Sequence, residues 1–311
     1  MLFGFTNSDN TCYINCVLQM LLSIKPLRKS LSDNSDDLIL NELTKIIKFY
    51  DKNTDIHHSV YPKSFLNSIF STFYFSKGRQ EDAHEFLLCL LDHIHEKKKY
   101  PVLVELRKSI TQNKNTISCK NEWEKFCGNN YSIITKLFYG QIKKNVICNC
   151  GKNSISREPF CGLTISSDFK NIEDGINDYI QNDVVETKCE KCNEQSFKCI
   201  NKYLEIVPEY LIVQISRFNN NMTKNLNKIN YLKDINLSGL IDTDINKNTQ
   251  YTLKSCIYHA GQLNYGHYLC SVNKKNDWYV LNDDHIIPNS VDDTFFKANS
   301  YILLYKKLKN Y

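Results

Sequence analysis

Residues 4–19 read GFTNSDNTCYINCVLQ, and this stretch decides how the chain is interpreted. A loop rich in Asn and Asp ends at Thr11, and an apolar run with helical spacing follows it until Pro26, which is expected to stop the helix. Cys12 therefore falls in the first turn of a predicted helix, where unpaired backbone N–H groups and the helix dipole favour a thiolate. The thiolate is the nucleophilic form of cysteine, so this position suits catalysis. Taken alone, Cys12 is more simply explained as a small buried residue at the start of an ordinary helix.

Composition restricts the class of protein. The 311 residues are 42% hydrophobic and 23% charged, which is enough for a large core in one domain or two close lobes. The net charge of +5 is modest and no dense Lys/Arg stripe alternates with aromatic residues, which argues against nucleic-acid binding. There is no signal peptide and no apolar run of membrane-spanning length, so no membrane partner is expected. The 13 cysteines are expected to be reduced thiols, zinc ligands or a nucleophile in a cytoplasmic or nuclear protein.

The pattern of the chain changes after Gly140. The clearest predicted helix covers residues 80–99, and residues 33–75 predict further helices, one of which starts at Pro62. Beyond residue 140, short apolar runs separated by turn residues predict β-strands. Helices first and strands later indicate an α+β enzyme with a cleft between lobes.

A cysteine nucleophile needs a base, and the base needs an orienting group. His267 opens one predicted strand, and Asn282 and Asp283 close the next. Antiparallel pairing of these strands would place a carboxamide or carboxylate beside the imidazole. Each residue is ordinary by itself, but the order Cys, His, Asn is that of a papain-type cysteine hydrolase.

Several stretches together resemble the catalytic domain of the ubiquitin-specific proteases, which are papain-like deubiquitinases. The family's cysteine box is matched by GFTNSDNTCYINCVLQ, its QDAHEF helix by GRQEDAHEFLLCLLD, and its histidine box by HAGQLNYGHYLCSV and WYVLNDD. The segments around the family's fingers are matched by NYSIITKLFYGQIKKNVICNC and TKCEKCNEQSFKCINKYLEIVPEYLIVQISRF. These matches run in order from residue 4 to about residue 284. The resemblance implies an α+β, papain-like fold with thumb, palm and fingers arranged as a right hand.

The resemblance also implies one catalytic domain over residues 1–311. Its thumb would be helical and cover approximately residues 1–139, the fingers mainly 140–217 and the palm mainly 218–311. Ubiquitin would be held by the fingers, with its C-terminal tail in the cleft between thumb and palm. The expected partners are ubiquitin or ubiquitinated proteins, and an activating protein is a further candidate.

Catalytic roles follow from positions in the family's motifs. Cys12 matches the nucleophile, His267 the general base and Asn282 the third triad member. Asp283 matches a neighbouring acidic position that can assist Asn282 or substitute for it. Asn7 matches the side chain that donates to the oxyanion beside the Cys12 backbone N–H, and loss of one such donor typically costs about 10²–10³ in rate. Without the resemblance, Asn7 would be interpreted as a turn residue.

Further residues match positions near the ubiquitin tail. Asp82 matches a position that contacts the tail, whose arginines suit a carboxylate, and Gln80 lies beside it. The alternative is that residues 80–82 simply supply acidic residues to the first turn of a helix. Gly266 matches a glycine that lets the substrate backbone pass close to the histidine, and Tyr268 belongs to the same box.

Four cysteines predict a structural zinc site in the fingers. Cys189 and Cys192 form a CxxC of ideal spacing, whereas their partners Cys148 and Cys150 form a CxC where the family has CxxC. Four thiolates would fill a tetrahedron, so the zinc would be structural, and no catalytic cofactor is expected. The alternative is a metal-free sheet with reduced cysteines. Two further cysteines could substitute as ligands: Cys161 and Cys199.

Asp9 stands where the family usually has glycine, which suggests a backbone with positive φ. A carboxylate three residues before Cys12 would oppose thiolate formation, so slow or ubiquitin-dependent activity is expected. The leading hypothesis is thiol-dependent hydrolysis of the bond after the C-terminal glycine of ubiquitin, through an acyl-enzyme. The alternatives are a catalytically weak or silent ubiquitin-binding module of the same fold and a protease of a ubiquitin-like modifier.

Overall fold

The chain forms two compact units in a computed structural model. The described residues are 2–52, 59–102, 114–181, 183–219, 221, 223–231, 233–243, 245, 248–262, 265–288 and 294–309. Unit 1 comprises Met1–Lys98, Gln214–Ile229 and Leu253–Leu304, and unit 2 comprises Lys99–Val213, Asn230–Thr252 and Tyr305–Tyr311. The predicted division into thumb, fingers and palm stays a prediction.

Helices dominate the first half of the chain, as predicted. In chain order the helices of the described residues are α1 (Cys12–Leu22), α2 (Lys25–Ser30), α3 (Leu38–Lys52), α4 (Lys63–Thr72), α5 (Ala83–Lys98), α6 (Lys114–Asn130), α7 (Ile133–Phe138), α8 (Ile172–Gln181) and α9 (Thr294–Asn299). The predicted starts at Cys12 and after Pro62 are confirmed. The prediction that Pro26 stops the first helix is wrong, because Pro26 lies at the start of α2, where a missing N–H breaks no helical hydrogen bond. None of the described helices has the length and apolar character needed to cross a bilayer.

Strands follow Gly140, also as predicted. In chain order the described strands are β1 (Gly4–Phe5), β2 (Ser59–Val60), β3 (Gly140–Ile147), β4 (Asn153–Phe160), β5 (Leu163–Ser166), β6 (Asp183–Lys188), β7 (Gln195–Ile206), β8 (Tyr210–Ser216), β9 (Asp234–Asn236), β10 (Gln250–Gln262), β11 (Tyr265–Lys274), β12 (Asp277–Asn282), β13 (His285–Pro288) and β14 (Ser300–Lys307). Strand prediction missed α8, although Ile172, Ile176 and Ile180 recur at helical spacing and are all buried.

The fold of unit 1 brings α1 onto a sheet. Neighbouring strands there run in the order β13-β12-β11-β10-β14, and β11 is antiparallel to both β10 and β12. Helix α1, which is buried along its whole length, packs on β11 and on α5. The element that begins at Cys12 therefore lies against the strand that carries His267.

Unit 2 contains a separate antiparallel sheet of order β4-β3-β7-β6. Helix α8 packs on β5 and β7, and α6 packs on β4. Arg157 on β4 donates to Glu205 on β7 at 2.6 Å and to Ser118 of α6 at 3.1 Å. Glu205 is fully buried, so this ion pair joins β4 to β7 inside the protein, and the same arginine joins the sheet to α6. Removing one partner of such a buried pair typically destabilises a protein by about 3–5 kcal/mol.

Candidate active site

Cys12 is the first residue of α1 and is only 2% exposed. The preceding loop folds back on itself, because Asn7 Oδ1 accepts hydrogen bonds from the backbone N–H of Thr11 at 2.9 Å and from its hydroxyl at 3.3 Å. The thiol thus lies at the amino-terminal, positive end of the dipole of a buried helix.

Asp9 and Asn10 both have left-handed backbones, with φ of 60° and 64°. The positive φ predicted at Asp9 is confirmed, and it explains why glycine suits this position. The Asp9 carboxylate lies 3.6 Å from the ammonium of Lys77, and both side chains are exposed. Asn10 donates to the carbonyl of Gly78 at 2.9 Å, which ties the loop to the segment before α5. The Lys77 ammonium therefore partly offsets the charge that Asp9 presents near Cys12.

His267 lies between Cys12 and Asn282. The pairing of β11 with β12 brings the end of β12 to His267, and the distance from His267 Nε2 to Asn282 Oδ1 is 2.6 Å. Because an amide oxygen only accepts, Nε2 carries the proton, which leaves Nδ1 for Cys12. The hydrogen bond with the Cys12 thiol is the main reason that the pKa of His267 is raised to about 9; burial lowers this pKa, and Asn282 raises it further. The fold therefore brings together the three residues predicted as a triad, Cys12, His267 and Asn282.

Asp283, beside the triad, accepts hydrogen bonds from the loop before α1 and from α1 itself. Its Oδ2 accepts from Asn7 Nδ2 at 2.9 Å, and its Oδ1 accepts from Asn15 Nδ2 at 2.9 Å. The carboxylate lies 3.7 Å from His267 Nε2, farther than the Asn282 oxygen. Asp283 thus fixes the amide of Asn7 and joins it to α1, while Asn282 makes the shorter contact with the imidazole.

Two residues that sequence reasoning missed hold this arrangement. Asn15 and Gln19 are buried polar residues one turn apart in an otherwise mainly apolar helix, and that mismatch was the available signal. Gly4 is needed because a Cβ there would lie 2.5 Å from the backbone of Asp284. The close approach lets the Phe5 N–H donate to the Asp283 carbonyl at 2.9 Å.

Gln80 lies against Gly266, next to the candidate base. Its side-chain amide donates to the Gly266 carbonyl at 2.6 Å, and its Oε1 accepts from the Gly266 N–H at 2.9 Å. A Cβ on Gly266 would lie 1.9 Å from Nε2 of His259, so this glycine is required by a contact within the chain itself. The amide of Gln80 thus occupies both backbone hydrogen-bonding groups of Gly266.

Asp82 caps α5. Its Oδ1 accepts from the backbone N–H groups of His84 at 2.7 Å and Glu85 at 2.9 Å, and Oδ2 accepts from the hydroxyl of Tyr301. These contacts agree with the local alternative of a carboxylate at a helix start. Tyr268 is 5% exposed, and its hydroxyl accepts from the Ala83 N–H at 3.5 Å.

His259 lies in the stretch that matches the histidine box, and its side chain is buried beside these residues. Its ring packs against Tyr268 with centroids 4.7 Å apart and against Phe218 at 5.4 Å. Burial, reinforced by the nearby Lys224 ammonium, lowers the pKa of His259 to about 4. His259 is therefore neutral when His267 is protonated, so two histidines of one hairpin have different charges at neutral pH.

The four cysteines predicted as metal ligands also meet, in unit 2. The sulfurs of Cys148, Cys150, Cys189 and Cys192 all lie within 4.8 Å of one another. Cys148 and Cys192 are 3.8 Å apart, and Cys150 and Cys189 are 3.7 Å apart. A tetrahedral ion with bonds of about 2.3 Å to sulfur needs sulfurs about 3.8 Å apart, so the four thiols fit such an ion. Cys161 and Cys199 lie outside the cluster.

Tight turns make this fit possible in spite of the short CxC spacing. Gly151 has φ of 80°, and its N–H donates to the Cys148 carbonyl at 2.9 Å. Backbone N–H groups of Cys192 and Lys191 lower the pKa of Cys189 to about 6. The cluster could hold a metal ion.

Comparisons with known proteins assign the family. The model of the ubiquitin carboxyl-terminal hydrolase family matches residues 3–305, so the chain belongs to that family. It is 28% identical to ubiquitin carboxyl-terminal hydrolase Usp2 of Drosophila melanogaster, over 98% of this chain and 35% of that protein. It is 26% identical to ubiquitin carboxyl-terminal hydrolase 5 of Saccharomyces cerevisiae, over 99% of this chain and 45% of that protein. The chain thus spans less than half of the length of these relatives.

Solved structures agree on the fold. A SAGA DUB module of Ubp8, Sgf11, Sus1 and Sgf73 bound to monoubiquitin contains a chain that matches all of this one, with 70% of its own length covered. The TM-score is 0.78 at 20% sequence identity. The same module bound to ubiquitin aldehyde matches with a TM-score of 0.76 at 20% identity, over 100% of this chain and 70% of that chain. The predicted α+β, papain-like fold is therefore confirmed.

Proposed function

We propose that this chain is a thiol-dependent deubiquitinase that hydrolyses the peptide or isopeptide bond after the C-terminal glycine of ubiquitin. The observation that carries the proposal is the imidazole of His267, which contacts both the Cys12 thiol and the Asn282 amide. Membership of the ubiquitin carboxyl-terminal hydrolase family supplies the substrate class.

The proposed reaction has two half-reactions: His267 gives a proton in the first and takes one in the second. The thiolate of Cys12 attacks the glycine carbonyl carbon, and the imidazolium then protonates the leaving amine, which yields a thioester. Water attacks the thioester after giving its proton to His267, and the glycine carboxylate leaves as Cys12 is regenerated. Asn282 holds the ring in the required tautomer throughout.

The oxyanion would be stabilised by the Asn7 amide and the Cys12 backbone N–H. Asn7 Nδ2 has two hydrogens, and the contact with Asp283 uses one of them, which orients the amide while leaving the second for the substrate oxygen. Asp283 then acts through Asn7 and Asn15 more than through His267.

The substrate tail would meet Gln80 at Gly266. An extended tail that pairs with the Gly266 backbone must displace the Gln80 amide, which holds both of its groups. Tyr268 is buried, so it supports this surface from below. The Asp82 carboxylate accepts three hydrogen bonds within the chain, so its contact with a tail arginine would add to its capping role.

The cysteine cluster would hold a structural Zn²⁺, because four thiolates with tetrahedral spacing are the ligand set that this ion prefers. All four positions would be filled by Cys148, Cys150, Cys189 and Cys192, so the ion would stabilise the ends of β3 and β6 without entering the reaction. An activating protein partner and a cytoplasmic or nuclear location stay predictions.

Labelling with a ubiquitin that bears a C-terminal electrophile tests the proposal. Wild-type protein should form a one-to-one adduct, and Cys12→Ala should form none. Cys16→Ala is the matched control, because Cys16 is buried in the same helix one turn later and should not affect labelling. An adduct that persists in Cys12→Ala would contradict the proposal. Wild-type binding of ubiquitin without an adduct would instead favour a silent module, and a panel of ubiquitin-like probes tests the other modifier class.

A further inference from the structure

A recess in unit 1 gathers positive charge far from the catalytic residues. Its volume is about 180 Å³. Four cations reach it from α2, β10 and the end of β11, and the single carboxylate in its lining comes from α3. The charged residues of the lining are Lys25, Arg28, Asp51, Lys254 and Lys274. Four cations against one carboxylate leave a net charge of +3 at the described lining.

The recess has a fixed floor. The guanidinium of Arg28 lies 4.6 Å from the ring centroid of Tyr50, and the ammonium of Lys274 lies 5.5 Å from the same centroid. Arg28 is held in place, since Nε donates to Asp51 at 2.9 Å and Nη1 donates to the Leu22 carbonyl. The Lys254 ammonium donates to the Asn273 carbonyl. Two of the cations are therefore oriented before any ligand arrives.

Two of the cations, Lys25 and Lys274, are not explained by ion pairing with the described residues. Asp51 is shared only with Arg28, and neither Lys25 nor Lys274 lies within ion-pair distance of a carboxylate among the described residues. The Leu22 carbonyl at the end of α1 explains Arg28, because helix C-termini favour cations, but it does not explain Lys25 or Lys274. Like charges around one concave surface repel, and an anion removes that repulsion.

We propose that this recess binds a small, multiply charged phosphate compound. Arginine and lysine together are the usual phosphate ligands, with arginine as a planar donor and lysine as a point charge. The volume is about six times the roughly 30 Å³ share of one water, so a phosphate group and its hydration fit. The proposal goes beyond the proposed hydrolase activity and does not depend on it.

The position of the recess separates it from the triad. It lies at the end of α1 opposite to Cys12, about 15 Å away along an 11-residue helix. Lys274 is likewise the last residue of β11, seven residues beyond His267. A bound anion would thus contact the far ends of the two packed elements that carry the nucleophile and the base.

Calorimetric titration with sodium pyrophosphate in 0.15 M salt tests the site. The Debye length at that ionic strength is about 8 Å, so weak attraction to scattered surface charges is suppressed. One-to-one binding is expected. Lys25→Gln/Lys274→Gln should weaken it at least about tenfold, because two of the four cations are lost. Lys45→Gln/Lys63→Gln removes the same charge from exposed positions of unit 1 and should leave affinity unchanged.

Asp51→Asn gives a test that misfolding cannot mimic. Removing the one carboxylate should raise pyrophosphate affinity severalfold, and a variant that folds poorly would lower it. Phosphatidic acid vesicles form the second arm: binding to them alone, lost in Lys25→Gln/Lys274→Gln, would assign the phosphate to a lipid headgroup. Absence of binding in both arms, or equal weakening in the Lys45→Gln/Lys63→Gln control, would overturn the proposal. Ubiquitin-probe labelling is unaffected in either case, so failure here leaves the hydrolase proposal standing.

Discussion

Two cysteine sites in this chain use the same side chain in opposite ways. Cys12 is one thiol at a helix start that faces a histidine, whereas the thiols of Cys148, Cys150, Cys189 and Cys192 face one another. The first arrangement keeps a thiol reactive by giving it a base. The second suits permanent coordination, because every thiol has three others at ligand spacing. What faces a cysteine therefore decides its chemistry, and burial alone does not.

Disruption of the proposed zinc site should give the largest effect. Structural zinc contributes about 10–16 kcal/mol of apparent binding free energy in isolated zinc-finger peptides, so Cys148→Ser/Cys189→Ser should lose metal and lower the thermal transition of unit 2. Elemental analysis and calorimetry measure both quantities. Cys199→Ser alters an exposed cysteine outside the cluster and should retain one zinc per chain. Substoichiometric zinc in gently purified wild type would contradict the site.

Loss of the base should come next. His267→Gln removes the proposed general base and should lower kcat/KM on a ubiquitin C-terminal amide substrate by about 10²–10⁴-fold. His285→Gln is the control, since the His285 side chain is exposed and its imidazole pairs with the exposed carboxylate of Asp284. Equal decreases in kcat/KM in the two variants would contradict the role of His267 as the general base.

Asp283→Asn should lower the rate about 10²-fold, the lower end of the range for one lost oxyanion donor. The new amide places an N–H against the amide of Asn7 or of Asn15, so one of these hydrogen bonds must break. Asp284→Asn changes the neighbouring exposed carboxylate and should leave kcat within about twofold. Unchanged kcat in Asp283→Asn would mean that Asn7 needs no support.

Cys12→Ala should lower the pKa of His267 from about 9 towards 6.5, because the contact with Cys12 is the main cause of the raised value. A raised pKa in the folded state stabilises the fold below pH 6.5, and this contribution is lost as the pH rises through 9. Nuclear magnetic resonance titration of the imidazole follows the pKa directly. Cys16→Ala should leave the pKa of His267 near 9. A pKa near 9 in Cys12→Ala would show that the contact with Cys12 does not raise the pKa of His267.

Asp9→Asn should have the smallest effect, a rise in rate of about twofold, since an exposed charge is weakly felt in water. Asparagine tolerates the left-handed backbone, so the variant removes the charge without adding strain. Lys77→Gln should act in the opposite direction, because it removes the cation that offsets Asp9. Reaction rates of Asp9→Asn and Lys77→Gln, each measured at low and at high salt, check both predictions. A lower rate in Asp9→Asn than in the wild type would contradict the electrostatic account.

The sequence predicted features that depend on local periodicity. Helix α5 and strands β11 and β12 follow from apolar spacing, and their pairing brings His267 to Asn282. Pro26 misled the prediction because proline both ends helices and begins them. The contact of Gln80 with Gly266 joins residues 186 positions apart, and no local pattern encodes it. The role of Asn15 likewise depends on Asp283, which arrives from the other end of the chain.

The short strand β1 has a practical consequence for handling this protein. Gly4 lies against the Asp284 backbone, and Phe5 is hydrogen-bonded to Asp283. Trimming the amino terminus to residue 6 would remove no catalytic side chain, yet it would release the turn that orients Asn7 and contacts His267. A bulky affinity tag fused close to Gly4 would act on the same turn. An expression clone that omits Gly4 and Phe5 is therefore expected to disturb the active site as a point mutation there would.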